Sequence, residues 1–298
     1  MVDGQWSMVG IDHSPFLRID HSPHPPYCLA ATHEDFAMKR NVMFCVFVAA
    51  LAAGCATPRV VMPPRVRPPP PAPPVASPAR YPADTKVLSL ESRNLAGWPP
   101  DAADIRSLEE LTLDGNPLRV VPPEVLRFTA LRTLTLKRCE LSSLPPGLAA
   151  LQSLQTLDLD ENHFAQLPPE IGALAALRIL NLQKNGLVLL PAAIGQLSKL
   201  ELLRLGSNRL ASLPEEIGDL ASLKSLWLED NQLTALPVSV TQLKNLESLD
   251  LSGNRIASLP LKAGDLPRLR RLTLTGNPIS DPDKGRIAGL LPHCLVVF

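Results

Sequence analysis

A leucine recurs every 23 residues along most of this chain, eight times in succession without a change of spacing. A fixed period of this length indicates that one small structural unit is repeated and stacked on its neighbours, instead of folding around a single central core. Each of these leucines is counted as position 0 of its repeat. They are Leu108, Leu131, Leu154, Leu177, Leu200, Leu223, Leu246 and Leu269.

Each repeat combines two hydrophobic periods. In the repeat that begins at Leu177, apolar side chains stand at positions 0, 3, 5, 10, 13, 17 and 20. The first of them follow the in-and-out alternation of a β-strand, and the last, spaced by four and three, suit a short helical or 3₁₀ turn. Every repeat is therefore predicted to contain a short strand, a turn and a looser return segment.

Position 8 is asparagine in seven of the eight repeats. A buried carboxamide carries both a donor and an acceptor, so it can satisfy the backbone groups that a tight turn leaves unpaired. These asparagines are predicted to form a structural ladder, in which Cys139 takes the same place as a tolerated small buried residue. The ladder comprises Asn116, Asn162, Asn185, Asn208, Asn231, Asn254 and Asn277.

Proline and glycine hold two further places in the repeat. Position 14 is proline in seven repeats, and the fixed φ of proline predicts an extended segment there. Position 18 is glycine in four repeats, where its small size is expected to permit close passage on the return side. These glycines are Gly172, Gly195, Gly218 and Gly264.

The resulting pattern, LxxLxLxxNxLxxLPxxIxxL, resembles the leucine-rich repeat family over about residues 85–298. Its 23-residue form with LPxxIG is similar to the subtype found in Ras-binding scaffold proteins and many bacterial relatives. The resemblance implies an α/β solenoid, a curved array whose parallel sheet lines the concave face. It also implies recognition of a protein or another ligand on that face.

The repeats need a capping unit at their N-terminal end, because an outermost unit lacks a neighbour on one side. Residues 86–99 form a degenerate first repeat that keeps its leucines in phase but lacks the leading leucine and the asparagine. We therefore assign this degenerate unit and the eight full repeats to residues 85–280.

Residues 281–298 are interpreted as the C-terminal cap. Asp281 followed by Pro282 is expected to be an N-cap with proline at the first helical position. A short helix through Leu290 should follow. The last six residues, 293–298, are expected to form a closing strand that covers the final repeat.

Residues 38–54 have the form of a secretory signal peptide. A positive start precedes an apolar run of 12 residues, which is too short to span about 30 Å of hydrocarbon as a helix. The run ends in AAGC, which resembles the bacterial lipobox. That resemblance implies that Cys55 is lipidated and becomes the N-terminus of the mature chain. The residue after Cys55 is not aspartate, which favours the outer membrane over the inner one.

Two segments flank this signal peptide. Residues 55–84 are rich in proline, and they are predicted to be a semi-rigid tether that holds the repeats away from the bilayer. Residues 1–37 lie ahead of Met38, the expected start of translation, and are interpreted as an over-extended and disordered N-terminus. A metal-binding tract formed by their histidines is the alternative interpretation.

The charge balance bears on nucleic-acid binding, and the cysteine positions bear on disulfide formation. Lysine plus arginine equal aspartate plus glutamate at 29 each, whereas a nucleic-acid-binding protein usually carries a strong basic surplus. We therefore expect no nucleic-acid partner. Cys139 and Cys294 lie almost seven repeats apart, far beyond the reach of a disulfide, so none is expected between them.

The concave face should be built from positions 2, 4, 6 and 7, where acidic and basic side chains alternate from repeat to repeat. Opposite charges on adjacent strands can pair laterally, so much of this surface is expected to neutralise itself.

The best candidate for partner binding is the position-4 row, where a tryptophan is flanked by arginine and acids, a composition typical of interface hot spots. A cation–π pair of purely local value is the alternative. The candidate residues are Asn181, Arg204, Trp227, Glu229 and Asp250.

The sequence offers little support for catalysis. It has no Ser/His/Asp set, no CxxC, no HExxH and no phosphate-binding glycine loop, so we expect neither an enzyme nor a cofactor or metal. The sequence predicts a non-catalytic, monomeric, lipid-anchored protein that binds an unknown protein or envelope ligand. The alternatives are a cytoplasmic scaffold that contacts a small GTPase or kinase, and a secreted effector.

Overall fold

The computed structural model describes residues 81–298, which contain the repeats and both capping units. The predictions for residues 1–37, for the signal peptide 38–54, for Cys55 and for nearly all of the tether lie outside the described residues. Within residues 81–298, no helix combines the length and the apolar character needed to cross a membrane.

One parallel sheet runs through the whole described region. Ten three-residue strands pair in chain order without a crossover. From β1 to β9 their register is uniform, since Leu111 pairs with Leu134 and Leu203 with Leu226, the same step of one repeat each time, and only the closing strand β10 is offset by one more residue. This confirms the predicted solenoid. The strands are β1 (Val87–Ser89), β2 (Glu110–Thr112), β3 (Thr133–Thr135), β4 (Thr156–Asp158), β5 (Ile179–Asn181), β6 (Leu202–Arg204), β7 (Ser225–Trp227), β8 (Ser248–Asp250), β9 (Arg271–Thr273) and β10 (Leu295–Val297).

Short 3₁₀ helices form the return side, opposite the sheet. Each five-residue helix follows the position-14 proline, whose extended backbone (φ −69°, ψ 148° at Pro191) ends the turn and sets the helix start. Strands stack at about 4.8 Å, and because the helical side needs more room, the array curves with the sheet inside. The helices are Pro100–Ala102, Pro123–Arg127, Pro146–Ala150, Pro169–Ala173, Ala192–Gln196, Glu215–Asp219 and Val238–Gln242.

The core is one continuous cluster of leucines enclosed between the sheet and the return helices. Leu177, Leu180, Leu182 and Leu187 are fully buried, as the positions 0, 3, 5 and 10 of their repeat require. Burial of each such side chain contributes roughly 1.5–3 kcal/mol. Because every repeat shares this interior with its neighbours, no repeat has a core of its own.

Glycine at position 18 lets adjacent return helices touch. A Cβ on Gly195 would lie 2.5 Å from the carbonyl oxygen of Glu216, and one on Gly218 would lie 2.5 Å from that of Ser239. Gly172 meets the same obstacle at Ala193. Gly264 differs from the expectation, since a Cβ there would have no neighbour within 4 Å and its φ is +86°. It serves backbone conformation instead of close packing.

The asparagine side chains connect each turn to the preceding repeat. The Oδ1 atom of Asn208 accepts a hydrogen bond from the backbone N–H of Leu187 at 3.0 Å. Its Nδ2 group donates to the carbonyl oxygens of Leu182 and Leu205, both at 2.9 Å. The same pattern recurs at Asn116, Asn162, Asn185, Asn231, Asn254 and Asn277.

Cys139 leaves a gap in this ladder. Its Sγ atom lies 3.3 Å from the carbonyl oxygens of Leu113 and Lys137, so its single proton serves one of them. The thiol offers no strong acceptor to the preceding repeat, and the backbone N–H of Leu118 turns instead to the carbonyl oxygen of Asn116 at 2.7 Å. The ladder is therefore weakest between the second and third strands.

Both ends of the array are closed. At the N-terminal end, the ring of Trp98 lies 5.5 Å from that of Phe128, and its indole nitrogen donates to the carbonyl oxygen of Ala102 at 3.2 Å. At the C-terminal end, helix α1 (Asp281–Leu290) is followed by β10, which pairs with β9.

The N-cap of α1 is one residue earlier than the sequence indicates. Ser280, with extended backbone, accepts the backbone N–H of Asp283 through its Oγ atom, and Asp281 is the first helical residue. Serine and aspartate are both good N-cap residues, so the choice between neighbours depends on backbone conformation, which the sequence does not show.

Candidate functional site on the concave face

The candidate site lies on the open face of the sheet, where side chains at positions 4 and 6 point away from the core. The uniform register places Asn181 beside Arg204, Arg204 beside Trp227, and Trp227 beside Asp250. Position-6 residues follow two places later and lie on the same face. The sequence-predicted residues therefore form one continuous patch across four strands.

Arg204 stacks on Trp227, with its guanidinium carbon 4.4 Å from the ring centroid. Such a contact is worth about 0.5–2 kcal/mol, depending on how dry it is. Within residues 81–298 the guanidinium forms no ion pair, and its Nε atom is buried without a hydrogen-bond partner. The stack fixes the plane of the guanidinium but leaves its charge unneutralised.

Asn181 departs from the expected exposed row. Only 3% of its surface is exposed, and its Oδ1 atom accepts the backbone N–H of Gln183 at 3.2 Å. Asparagine is short and bonds readily to backbone two residues ahead, so the side chain lies against its own strand. Its side chain is therefore less open than those of its neighbours in the row, and its role as a contact residue stays a prediction.

Asp250 lies at the other end of the row and is partly tied down. Its Oδ1 atom accepts the backbone N–H of Ser252 at 3.0 Å and the hydroxyl of the same serine at 2.7 Å. The carboxylate remains half-buried beside Trp227.

Glu229 reaches across two repeats, which the sequence pattern does not indicate. Its Oε1 atom accepts a hydrogen bond from Nε2 of Gln183 at 2.7 Å, passing over Gly206 of the intervening repeat. A Cβ on Gly206 would lie 2.1 Å from that Oε1 atom, so the glycine makes this path possible. Gln183 and Gly206 were missed as site residues. The one available signal was a glycine at position 6, where every other full repeat has a side chain.

The neighbouring part of the concave face satisfies its own charges. Lys137 lies 3.1 Å from Asp158, and Glu161 lies 2.7 Å from Arg138 and 3.0 Å from Lys184. Hydrogen bonds from Arg138 and then Lys184 lower the pKa of Glu161 to about 2. This lateral neutralisation agrees with the alternating charges of the sequence, and it sets Arg204 apart as an unpaired cation.

Asp160 is the exception within that neutralised region. Its Oδ1 atom is buried without a hydrogen-bond partner in the described part of the chain. Burial, and then repulsion from Asp158 and Glu161, raise the pKa of Asp160. The carboxylate is thus held ionised at a cost at neutral pH.

The described residues contain no group of three or more His, Cys, Asp and Glu side chains placed to hold a metal ion. Burial raises the pKa of Cys139 to about 11, so this sulfur is a protonated thiol at neutral pH. The chemistry that the site supports is recognition by hydrogen bonds, charge and aromatic contact.

Family models match most of the repeat region. One described as a leucine-rich repeat region covers residues 119–232, and one described as a leucine rich repeat covers residues 221–279. No curated protein matches the chain significantly by sequence.

Solved structures share the fold. A leucine-rich repeat protein of Leptospira interrogans is 35% identical, with a TM-score of 0.61 over 72% of this chain and 60% of that one. The plant peptide hormone receptor RGFR1, in complex with RGF2, is 31% identical, with a TM-score of 0.57 over 72% of this chain and 34% of that one. An internalin of Listeria monocytogenes, at 21% identity and a TM-score of 0.58 over 66% of this chain and 56% of that one, shows the fold alone.

This chain thus spans less than two thirds of the length of each of these relatives. The period of 23 residues, the uniform parallel sheet, the asparagine ladder and the family matches agree with one another. Proteins of this class are typically non-catalytic scaffolds that bind other proteins or ligands. The chain is a leucine-rich repeat protein.

Proposed function

We propose that this protein is a lipid-anchored component of the bacterial cell envelope, and that it binds a protein partner on its concave face around Arg204 and Trp227. The observation that carries the binding site is the unpaired guanidinium of Arg204 stacked on the ring of Trp227. Arginine and tryptophan are the side chains most enriched at interface hot spots, where an aromatic surface and a fixed charge act together.

The surroundings of this pair also support an interface. Neighbouring cations on the same face, such as Lys137 and Arg138, are neutralised by acids of the next repeat, whereas Arg204 is not. Holding a half-buried charge without a counter-ion is unfavourable for the free protein, so a residue of this kind is better explained by a partner that completes it. Glu229 and Asp250 flank the pair and would orient the partner.

The similar structures are consistent with this use of the fold. The plant peptide hormone receptor was solved in complex with RGF2, so a protein that contains this fold acts as a receptor. We extend protein binding to this chain on the basis of the Arg204–Trp227 pair, not on that likeness alone.

The anchor is proposed from residues outside the described structure. The apolar run of the signal peptide 38–54 ends at Cys55, the tether 55–84 follows, and Ala56 at the place after the cysteine favours the outer membrane. A proline-rich tether extends about 3.1 Å per residue, which would place the concave face several nanometres from the bilayer.

The binding site can be tested by photocrosslinking in envelope preparations. A photoreactive phenylalanine analogue replaces Trp227 in one variant and Val238, exposed on the return side, in the matched control. We expect a specific protein adduct from position 227 and none from position 238. An analogue at Ser225, on the same strand, should also give the adduct, and adding Arg204→Ala to that variant should abolish it. Equal adducts at 227 and 238 would contradict the proposal.

The anchor can be tested by the intact mass of the protein extracted from membranes of its native host. A mass that fits a chain beginning at an acylated Cys55, and the loss of membrane association in Cys55→Ser, are expected. An unacylated chain that begins at Met1 or Met38 would contradict the lipoprotein and leave the cytoplasmic scaffold as the better interpretation.

A further inference from the structure

The C-terminal cap leaves one edge of the sheet open. Strand β10 pairs with β9, and no other strand of residues 81–298 pairs with its outer side. Edge strands of soluble proteins are usually protected by lysine, proline or a covering segment, because their unpaired backbone groups attract another strand. Residues 294–298 contain no proline and no charged side chain. The opposite edge strand, β1, is preceded by Lys86 and followed closely by Glu91.

Three apolar side chains of this edge are exposed. The exposed fraction is 56% for Leu295, 38% for Val297 and 39% for Phe298, whereas the leucines of the repeats are buried. In the register with β9, Leu295 and Val297 stand on the concave face, and Val296 faces the core, against which it packs in part. Strand β10 therefore presents apolar surface together with a free backbone edge.

The backbone groups that point outward from β10 are those of Val296. On the inner side, the N–H of Leu295 donates to the carbonyl oxygen of Arg270 at 2.8 Å, and the carbonyl oxygen of Val297 accepts the N–H of Leu274 at 2.7 Å. Because alternate residues of a strand direct their backbone groups to opposite sides, the N–H and the carbonyl of Val296 face away from β9. The same residue of a second strand that runs antiparallel can satisfy both groups at once.

An apolar depression lies beside this edge. It has a volume of about 390 Å³ and lies between the return segment after β8 and the end of α1. That return segment has Ala263 where most repeats have isoleucine or valine, so less of the space is filled. An apolar cavity of about 150 Å³ already binds benzene, so the depression has room for a phenyl ring. Its wall includes Leu266, Pro267, Leu269, Leu290, Leu291 and Cys294.

We propose that two copies of this chain form a dimer in which their β10 strands pair antiparallel, across a two-fold axis at Val296. Two hydrogen bonds then join Val296 of one copy to Val296 of the other, and Leu295 lies opposite Val297 on the concave face. The same register sets Phe298 opposite Cys294, on the side of the strand that borders the depression. Each phenyl ring therefore enters the depression of the other copy.

The two-fold arrangement closes at two copies, because it uses each β10 edge and each depression once. If β10 paired instead with β1 of another copy, a free edge would remain at each end and filaments would grow. Strand β1 (Val87–Ser89) also carries no aromatic side chain that could fill the depression. The dimer departs from the monomer expected from the sequence. It does not depend on the Arg204–Trp227 site, but it joins two concave faces in one continuous sheet.

Disulfide crosslinking tests the register. Leu295→Cys and Val297→Cys are made in separate full-length chains with different tags and are co-expressed in the native host; both side chains are exposed, so the core is unchanged. Opposite residues of an antiparallel pair that share no hydrogen bond have Cα atoms about 4.5 Å apart, within reach of a disulfide. Two copies of residue 295 are diagonal neighbours about 7–8 Å apart, which is too far.

We expect oxidation of the co-expressed chains to give a link between residues 295 and 297, mapped by mass spectrometry. Leu295→Cys expressed alone should give no link between its two copies of residue 295. Absence of the 295–297 link, or an equal yield of the 295–295 link, would overturn the antiparallel register.

Sedimentation of the purified full-length protein over a range of concentrations tests the dimer itself. We expect a dimer that grows no further, and a dissociation constant raised at least about tenfold in Phe298→Ala, because each dimer loses two buried rings. The matched control is Val87→Ala, an equally exposed apolar side chain on β1, which should associate as the wild type does. A monomer at every concentration would overturn the dimer, as would a species that grows without limit and is weakened by Val87→Ala. An unchanged dissociation constant in Phe298→Ala would overturn the insertion of the ring.

Discussion

Restoring the missing member of the asparagine ladder should stabilise the array. We expect Cys139→Asn to gain the contacts that Asn208 makes in its own repeat, which are one accepted and two donated hydrogen bonds. Cys139 has a single proton to donate and no strong acceptor to offer. The substitution therefore adds one donated hydrogen bond, and it moves the hydrogen bond of the backbone N–H of Leu118 from the carbonyl oxygen of Asn116 to the new amide oxygen in the next repeat.

The expected magnitude follows from this net gain of one bond. A buried neutral hydrogen bond contributes about 1 kcal/mol net, so the gain should be about 1 kcal/mol. For a folded region of this size that corresponds to a rise in Tm of about 2–4 °C. Circular dichroism during heating of the full-length protein measures the shift.

Two control variants make the result interpretable. Asn208→Cys removes from an intact repeat the side-chain hydrogen bonding that Cys139→Asn adds, so it should lower Tm by a similar amount. Cys139→Ala separates the loss of the thiol from the gain of the amide and should not raise Tm. A fall in Tm for Cys139→Asn would refute the reasoning, because it would mean that the pocket around Cys139 is not an asparagine site.

Three further predictions concern packing and charge. Gly195→Ala should lower the free energy of unfolding, measured in urea, by about 1–3 kcal/mol, because the new Cβ meets the carbonyl oxygen of Glu216. The control Gly97→Ala, whose Cβ would have no atom within 4 Å, should leave that free energy unchanged. Equal effects of the two substitutions would contradict the close-packing argument. Asp160→Asn should raise Tm at pH 7, because burial raises the pKa of that carboxyl and disfavours its ionised form, and the gain should shrink as the pH falls and Asp160 itself is protonated. The pKa of Glu161 is lowered from 4.5 to about 2, so its ionised form stabilises the fold above pH 4.5. The wild type should therefore have a higher Tm than Glu161→Gln above pH 4.5, and this difference should disappear as the pH falls from 4.5 to 2. A constant difference across that range would show that the ion pairs of Glu161 do not stabilise the fold.

The fold was predictable from the sequence because it depends on features that repeat. Position 0 leucines, position 8 asparagines and position 14 prolines each make the same local contribution many times, so an error at one site does not alter the pattern. The sheet, its register and the return helices follow from this redundancy. The return after β8 shows the limit, since Ala263 stands where most repeats have isoleucine or valine, and no 3₁₀ helix is assigned there among the described residues.

The candidate site was only partly predictable, because it depends on side-chain conformations that the repeat does not determine. The register placed Arg204 beside Trp227, but it gave no sign that Asn181 folds back onto its own strand. The contact from Glu229 to Gln183 joins residues 46 positions apart, so no strand-to-strand rule reaches it. It exists because Gly206 leaves the intervening place empty.

The uniform register has a consequence for how such a chain can change length. Inserting or deleting one whole repeat leaves every remaining strand with a neighbour in the same alignment, so the number of repeats can vary without loss of the fold. The contact between Gln183 and Glu229 does not share this freedom, because it needs three consecutive repeats in a fixed order, with Gly206 in the middle one. Repeats before and after this block can therefore be added or removed to alter the reach of the concave face, while the block itself must be kept whole.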